Sequence, residues 1–268
     1  MIESKFMDPL LLNTKKRLIL SILSLGLILV SAFYSSAKAG DVSSRTVLGF
    51  SADGAYFAME EYGVQDGSGF PYATIFLIDT KKNSWVKGSP FRVLLKDETA
   101  KLAAARQQAR ADAAALLEKY DIQARGLLLA HNPVTELGPS REMVKVAPGT
   151  APFLQQHALT FSVAPVALPT KRCKDYGDEA QQGYALTVQR EGQEPRLLHK
   201  DKRIPTSRGC PKRYAISDVL RFAPTPDAKS ALYIVILQRF SYGFEGDDGR
   251  YIVSGHWLPS FLAQQAQK

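Results

Sequence analysis

The chain has 268 residues, and its 34 Lys and Arg outnumber its 26 Asp and Glu, which gives a formal net charge of +8. This excess of positive charge is too small for a dedicated nucleic-acid-binding protein, so we expect no nucleic-acid partner. Two cysteines and four histidines occur without the spacing of a zinc site, and no nucleotide-binding motif is present. We therefore predict neither a metal nor a cofactor.

The N-terminal segment has the three parts of a secretory signal peptide. Lys15, Lys16 and Arg17 supply positive charge, residues 18–30 are apolar, and Ala37-Lys38-Ala39 offers small residues for cleavage. The alternative is a membrane-spanning helix, but such a helix needs about 20 apolar residues. We predict cleavage near Ala39-Gly40, with residues 1–39 as the signal peptide. Residues 40–268, with a formal charge of +5 and no stable membrane span, then form a single secreted domain.

Short β-forming segments dominate the rest of the chain and predict a mainly β fold. Tyr72–Asp79 (YATIFLID) and Ala231–Gln238 (ALYIVILQ) are nearly continuous apolar runs, typical of buried strands, and the second is expected to be a central strand. A short terminal helix is predicted over 259–267. The remaining predicted strands are 46–50, 55–59, a strand beginning at Trp85, 157–163, 184–189, 196–199 and 250–257.

One long helix is predicted between the strands, over about 97–119. Asp97 is a candidate N-cap, and the segment is rich in Ala, Gln, Arg and Leu, which favour helices. Its apolar residues recur at spacings of three and four, which gives one narrow stripe that we expect to pack on the protein's own sheet. The stripe consists of Leu102, Ala105, Ala109, Ala113, Leu116 and Tyr120. The predicted fold is α+β: an antiparallel sheet or sandwich with this helix inserted.

A weak internal repeat raises a second possibility for the fold. Phe50-Ser-Ala-Asp-Gly and Phe222-Ala-Pro-Thr-Pro-Asp each precede a strand and then a Gly-rich acidic loop. The first copy resembles a blade of the propeller domains of exported translocation proteins. A propeller needs about four blades, and only one good and one degenerate copy are found. Propeller-blade-like segments therefore remain an alternative to the sandwich.

Cys173 and Cys210 are an even pair in a chain predicted to be exported, which favours a disulfide bond. The surrounding segment 171–213 holds eleven Lys and Arg against six Asp and Glu. A basic surface here could contact an envelope protein or an anionic envelope component, although a solvated surface is the simpler interpretation.

Two acidic Gly-rich loops contain the best candidates for a binding site. The candidates are Asp66 and Ser68 in the first loop, and Glu245, Asp247 and Asp248 in the second. Clustered carboxylates can hold Ca²⁺ or act as an acid and a base, but neither loop matches a calcium consensus, and Gly-Asp pairs are common in hairpins. The hypothesis of a hydrolase that uses these loops requires them to meet in the fold.

Three stretches together resemble a family of predicted secreted bacterial proteins, domain of unknown function 2259. They are Gly49-Phe-Ser-Ala-Asp-Gly through Asp79, Ser207-Arg-Gly-Cys-Pro-Lys-Arg-Tyr214 and Tyr242-Gly-Phe-Glu-Gly-Asp-Asp-Gly-Arg250. The resemblance covers all of residues 40–268. It implies export to the periplasm and brings no assigned activity or catalytic residues. Because no catalytic motif is present either, a non-catalytic binding protein of the cell envelope is favoured over a hydrolase.

Overall fold

The computed structural model describes residues 40–135, 141–149, 157–177, 181–225, 228–244 and 246–260. The predicted signal peptide, nearly all of the predicted terminal helix and Glu245 lie outside these residues. In chain order the elements are β1 (Ser44–Phe50), β2 (Tyr56–Val64), β3 (Pro71–Asp79), β4 (Ser84–Trp85), β5 (Phe91–Leu94), α1 (Leu102–Lys119), β6 (Leu127–His131), β7 (Met143–Val146), β8 (Leu159–Ala167), β9 (Gln182–Arg190), β10 (Arg196–Lys200), β11 (Pro211–Phe222), β12 (Ser230–Tyr242) and β13 (Asp247–Pro259).

The strands form three antiparallel sheets. The first sheet has the order β1-β2-β3-β4, with β5 also paired to β3. The middle sheet has the order β13-β12-β11-β6, and the third sheet has the order β10-β9-β8-β7. The mainly β prediction is confirmed, and every segment predicted as a strand overlaps an observed one.

The middle sheet is covered on both faces, and its central strand β12 shows why. Leu232, Ile234 and Ile236 pack with side chains of the first sheet. The intervening Tyr233 and Val235 pack with side chains of the third sheet. Since successive side chains of a strand point to opposite faces, a strand buried on both faces reads as a continuous apolar run. Each such buried side chain contributes roughly 1.5–3 kcal/mol.

The two copies of the internal repeat lie in different sheets, the first sheet and the middle sheet, and each copy begins at the last residue of a strand. Phe50 is the last residue of β1 and Phe222 is the last residue of β11. Their rings stack with centroids 5.1 Å apart and planes 13° from parallel. The repeat therefore belongs to two packed sheet layers, which is the sandwich-like arrangement that the sequence favours.

The helix α1 packs on the outer face of the first sheet, as predicted. Its buried residues Ala105, Ala109 and Ala113 share an apolar cluster with Ile75 and Val93 of β3 and β5. The small Ala side chains let the helix lie close to the sheet. The order of the layers is thus helix, first sheet, middle sheet, third sheet.

The start of the helix differs from the prediction. Its N-cap is Lys101, so α1 begins at Leu102, five residues after the predicted Asp97. The Asp97 carboxylate instead accepts hydrogen bonds from the backbone N–H of Thr99 at 2.8 Å and from the Thr99 hydroxyl at 2.7 Å. Asp97 closes a turn before the helix, which is the other common role of a short acidic side chain.

Candidate binding site

The predicted site residues of the first acidic loop form a self-contained turn. The Ser68 hydroxyl donates to Oε1 of Gln65 at 3.1 Å and accepts from the N–H of Phe70 at 3.3 Å. The N–H of Gly69 donates to the carbonyl of Gln65 at 3.0 Å. Asp66 is exposed at the tip of this turn. These contacts fix the shape of the loop.

Asp41 forms hydrogen bonds with one residue next to each acidic loop. The carbonyl of Asp41 accepts from the N–H of Gly249 at 2.9 Å, next to Asp247 and Asp248 at the start of β13. Its carboxylate accepts from the hydroxyl of Tyr72 at 3.1 Å, close to the end of the first loop. Whether Asp66 and the second loop act on one ligand stays a prediction.

A buried acidic network lies beneath these loops, between the first and middle sheets. Glu61 is 5 % exposed, and its carboxylate accepts from the N–H of Tyr251 at 2.8 Å and from the hydroxyl of Ser43 at 3.2 Å. Arg250 binds Asp41 at 2.5 Å and lies 3.8 Å from Glu61. Burial raises the pKa of Glu61 above its usual range, against the opposing effect of these donors.

The neighbouring Asp248 is also affected by burial, which raises the pKa of its carboxyl, although Arg250 acts in the opposite direction. Asp247 forms ion pairs instead, at 2.9 Å with Lys212 and 3.5 Å with Arg213. The two adjacent aspartates therefore stand in different electrostatic surroundings. Neither completes a metal site, because the described residues contain no group of three His, Cys, Asp or Glu able to hold an ion.

A second buried carboxylate, Asp218 of β11, was not recognised from the sequence. It is fully buried, and its Oδ1 contacts Arg45 of β1 and lies 2.8 Å from Nδ1 of His131 on β6. The first and middle sheets are thus joined by charge as well as by apolar packing. No local pattern marks Asp218, because Arg45 lies 173 residues away in the chain.

The predicted disulfide bond is confirmed and shapes the basic region. Cys173 and Cys210 are bonded with their Cα atoms 5.4 Å apart. The bond fastens a 3₁₀ turn, Lys171–Tyr176, to the start of β11. The guanidinium of Arg172 adds a hydrogen bond of 2.9 Å to the carbonyl of Gly209.

Exposed aromatic side chains surround this fastened turn. The rings of Tyr176 and Tyr242 are stacked 6.0 Å apart, and the ammonium of Lys212 lies 4.0 Å from the Tyr242 ring centroid. Two residues beyond Tyr242, Phe244 is 82 % exposed at the tip of the β12–β13 hairpin. We call the surface formed by Arg172, Tyr176, Lys212, Tyr242 and Phe244 the aromatic–basic face.

A family model described as predicted secreted protein, domain of unknown function 2259, matches residues 58–255. The chain belongs to this family. The resemblance noted in the sequence is therefore confirmed, and the matched segment of this secreted protein includes the whole aromatic–basic face. No curated protein and no solved structure matches the chain. Within the described residues, no helix is long and apolar enough to cross a membrane.

In this secreted protein, Phe244 is the part of the aromatic–basic face that sequence reasoning missed. The hairpin closes tightly around it, since the N–H of Gly243 donates to the carbonyl of Gly246 at 2.8 Å. An apolar ring held in water forgoes roughly 1.5–3 kcal/mol of burial. The sequence signal for it is weak, because it is a single aromatic residue inside a short glycine-rich loop whose acidic residues give the stronger pattern.

Proposed function

We propose that this secreted protein acts in the periplasm, after removal of its signal peptide, as a non-catalytic binding protein of the cell envelope. Its ligand is an anionic envelope component with phosphate-bearing headgroups, and it binds through the aromatic–basic face. The single observation that carries the proposal is the 82 % exposed ring of Phe244, two residues after Tyr242, whose ring lies 4.0 Å from the ammonium of Lys212 and stacks on Tyr176 of the disulfide-fastened turn.

The charges of the fastened turn support an anionic ligand. Lys171, Arg172 and Lys174 are all exposed there, against the single acidic residue Asp175. Arg and Lys side chains bind phosphate oxygens through charge-assisted hydrogen bonds. The disulfide bond at Cys173 restrains the backbone of this turn, which reduces the backbone freedom lost when a ligand binds.

The aromatic residues support a ligand that also offers apolar surface. Tyr and Trp prefer the boundary between water and lipid headgroups, where a ring is partly buried and its polar end stays wet. Tyr176 and Tyr242 have this character, and Phe244 projects beyond them without a polar group. A surface of this kind gains from burying its rings and from neutralising its cations together.

The hydrolase hypothesis receives less support. It asks for two carboxylates that face one substrate. Asp66 stands in its own turn, and Asp247 is occupied by Lys212 and Arg213. These ion pairs favour a structural role for Asp247.

Sedimentation with lipid vesicles tests the proposal. The protein is expected to bind vesicles made of equal parts phosphatidylglycerol and phosphatidylcholine, and to bind pure phosphatidylcholine much less. Phe244→Ser, and separately the double change Lys171→Gln with Lys174→Gln, should each weaken binding about tenfold, which corresponds to about 1.4 kcal/mol. Added salt should weaken binding further, because the ligand's charges become screened.

Matched controls come from positions outside the aromatic–basic face. Trp85 is 44 % exposed, so Trp85→Ser removes an exposed ring far from the face in sequence and in a different sheet. The exposed Lys87 and Lys101 provide a double Gln control for charge. The proposal fails if the controls weaken binding as much as the face variants do, or if both vesicle types bind equally.

A further inference from the structure

A cavity of about 280 Å³ opens between the middle and third sheets. One wall is Val163–Pro165 of β8 and the other is Lys212–Tyr214 of β11. Glu142 and Gln182 complete the lining. The volume lies near the lower end of the range for ligand sites and suits a short segment better than a bulky molecule.

The cavity exists because strand pairing stops early on both walls. β7 pairs with β8 only from Leu159 to Ser162. β6 pairs with β11 only from Asp218 to Arg221. Further along, within the described part of the chain, no strand pairs with residues 163–167 of β8 on the side away from β9. The same holds for residues 211–215 of β11 on the side away from β12.

The residues just before β7 show how a guest strand would bind here. The carbonyl of Arg141 accepts from the N–H of Ile216 on β11 at 2.7 Å. The next carbonyl, that of Glu142, accepts from the N–H of Val163 on β8 at 2.8 Å. The carbonyls of two consecutive residues thus bond to both walls at this end of the cavity.

The two walls differ in what they offer beyond this point. Main-chain N–H groups alternate between the two edges of a strand, so Tyr214, two residues before Ile216, presents its N–H and C=O to the same side. On the opposite wall, the corresponding position two residues after Val163 is Pro165, which has no N–H to donate. Within the described part of the chain, no strand lies beside the β11 edge at Tyr214, whereas Pro165 cannot donate a main-chain hydrogen bond from the β8 edge.

We propose that an extended peptide segment of a partner protein binds in this cavity as an added strand on β11. Its main chain pairs with the edge at Tyr214, in line with Arg141, and its side chains pack on Ala164 and Pro165. Addition of a strand to an open sheet edge is a general mode of peptide recognition, in which main-chain hydrogen bonds give affinity.

The charge of the β11 wall indicates an acidic segment. The guanidinium carbon of Arg213 lies 3.5 Å from the ring centroid of Phe240, and the side chain remains 51 % exposed. Among the described residues, its carboxylate contact with Asp247 is 3.5 Å long, and Asp247 also pairs with Lys212. Arg213 is therefore held in position with donors available for a side-chain or C-terminal carboxylate of the peptide.

A displayed library of random-sequence peptides with free C-termini tests the proposal, with the purified protein as the target. Peptides that are enriched and carry Asp, Glu or a required C-terminal carboxylate are then synthesised and measured by fluorescence polarisation. Ala164→Trp, which fills the cavity from an exposed position, should weaken their binding at least tenfold. Ala104→Trp, an equal change at an exposed position of α1, should leave it unchanged.

Backbone methylation of the peptide separates strand addition from other binding. N-methylation at one position should abolish binding and at the adjacent position should have little effect, because only alternate N–H groups face β11. Arg213→Gln should weaken binding several-fold, whereas Arg203→Gln, at an exposed position outside the cavity, should not.

The proposal is overturned if no sequence is enriched, if Ala164→Trp binds as tightly as the parent protein, or if methylation at every position is tolerated. Thermal melting of each variant shows that it is folded. The outcome is independent of vesicle binding, since Phe244→Ser should leave peptide binding intact and Ala164→Trp should leave vesicle binding intact.

Discussion

The two faces of the middle sheet are covered by layers of different chemistry. Towards the first sheet, charged groups are buried. Asp218 of β11 pairs with Arg45 of the first sheet, and Glu61 of the first sheet lies 3.8 Å from Arg250 of β13. Towards the third sheet, the core is apolar, the buried Asp201 pairs with Arg208 at 2.5 Å, and one covalent bond, Cys173–Cys210, fastens a turn to β11. The first side is held together by several buried ion pairs, whereas the second side leaves polar and aromatic groups exposed for binding.

The outer layer follows the same division. Glu60 of β2 is fully buried, and Arg106 and Arg110 of α1 donate to its carboxylate at 2.9 and 2.7 Å. Burial alone would raise the pKa of Glu60, but the hydrogen bonds from both arginines outweigh it and the pKa is lowered. The helix is thus held to the first sheet by charge as well as by its alanine stripe, and both observations assign this side to stability.

Breaking the buried charge network should have the largest effect. Arg250→Met leaves Asp41 and Glu61 buried without their cation, which typically costs about 3–5 kcal/mol. Urea unfolding should show this loss in the free energy of unfolding. Arg203→Met, at an exposed position, is the control and should change it by no more than about 0.5 kcal/mol. A loss below about 1 kcal/mol for Arg250→Met would contradict a structural role for the network.

Removing the disulfide bond should have the next largest effect. The double change Cys173→Ser with Cys210→Ser opens a link across 37 residues and should cost about 2–4 kcal/mol of unfolding free energy. The same change should weaken vesicle binding, because the 3₁₀ turn at Lys171–Tyr176 loses its fastening to β11. The parent protein in reductant should behave like the double variant. If the protein bound vesicles equally well with and without the disulfide bond, the bond would not be needed to form the aromatic–basic face.

The difference between the two sides also explains what could be predicted from the sequence. The runs 72–79 and 231–238 were recognised because burial on both faces leaves a local apolar pattern. β11 is as deeply buried but was missed, since Ser217, Asp218 and Arg221 interrupt its apolar run. The buried Asp218 is partnered by Arg45 of another sheet and by His131 of β6, and no local pattern carries that information.

The candidate site shows the same limit. Asp66 and Ser68 attracted attention because acidic and hydroxyl residues cluster locally, yet Ser68 makes the hydrogen bonds of a turn. The cysteine pair was predictable, because pairing needs only a partner and an oxidising compartment. Phe244 and the open edge of β11 depend on which strands end where, and this becomes visible only when the sheets are assembled.

The side towards the third sheet should also carry a pH dependence that comes from a buried histidine. Burial, followed by the positive charge of His199 on β10 and of Arg196, lowers the pKa of His256 from its usual 6.5 to about 4. As the pH falls from about 6.5 to about 4, the unfolded chain takes up a proton that the folded protein excludes, so stability falls. The shift sets this loss at no more than about 3 kcal/mol.

The substitution His256→Gln isolates that contribution. Unfolding free energies measured from pH 7 down to about pH 4 should fall less steeply for the variant than for the parent protein. The comparison of slopes matters, because the lowered pKa values of Glu60 and Asp201 also make stability fall in acid in both proteins. Parallel curves would mean that His256 is protonated in the folded state.

The smallest effect on stability should come from Phe244→Ser, although this change is expected to weaken vesicle binding about tenfold. The ring is 82 % exposed, so its loss should alter the unfolding free energy by no more than about 0.5 kcal/mol. Phe240, four residues earlier on β12, is 1 % exposed, and Phe240→Ala should cost about 3–5 kcal/mol. If Phe244→Ser instead destabilised the protein as much as Phe240→Ala, the ring would be part of the folded core, and the division between a stabilising side and a binding side would fail.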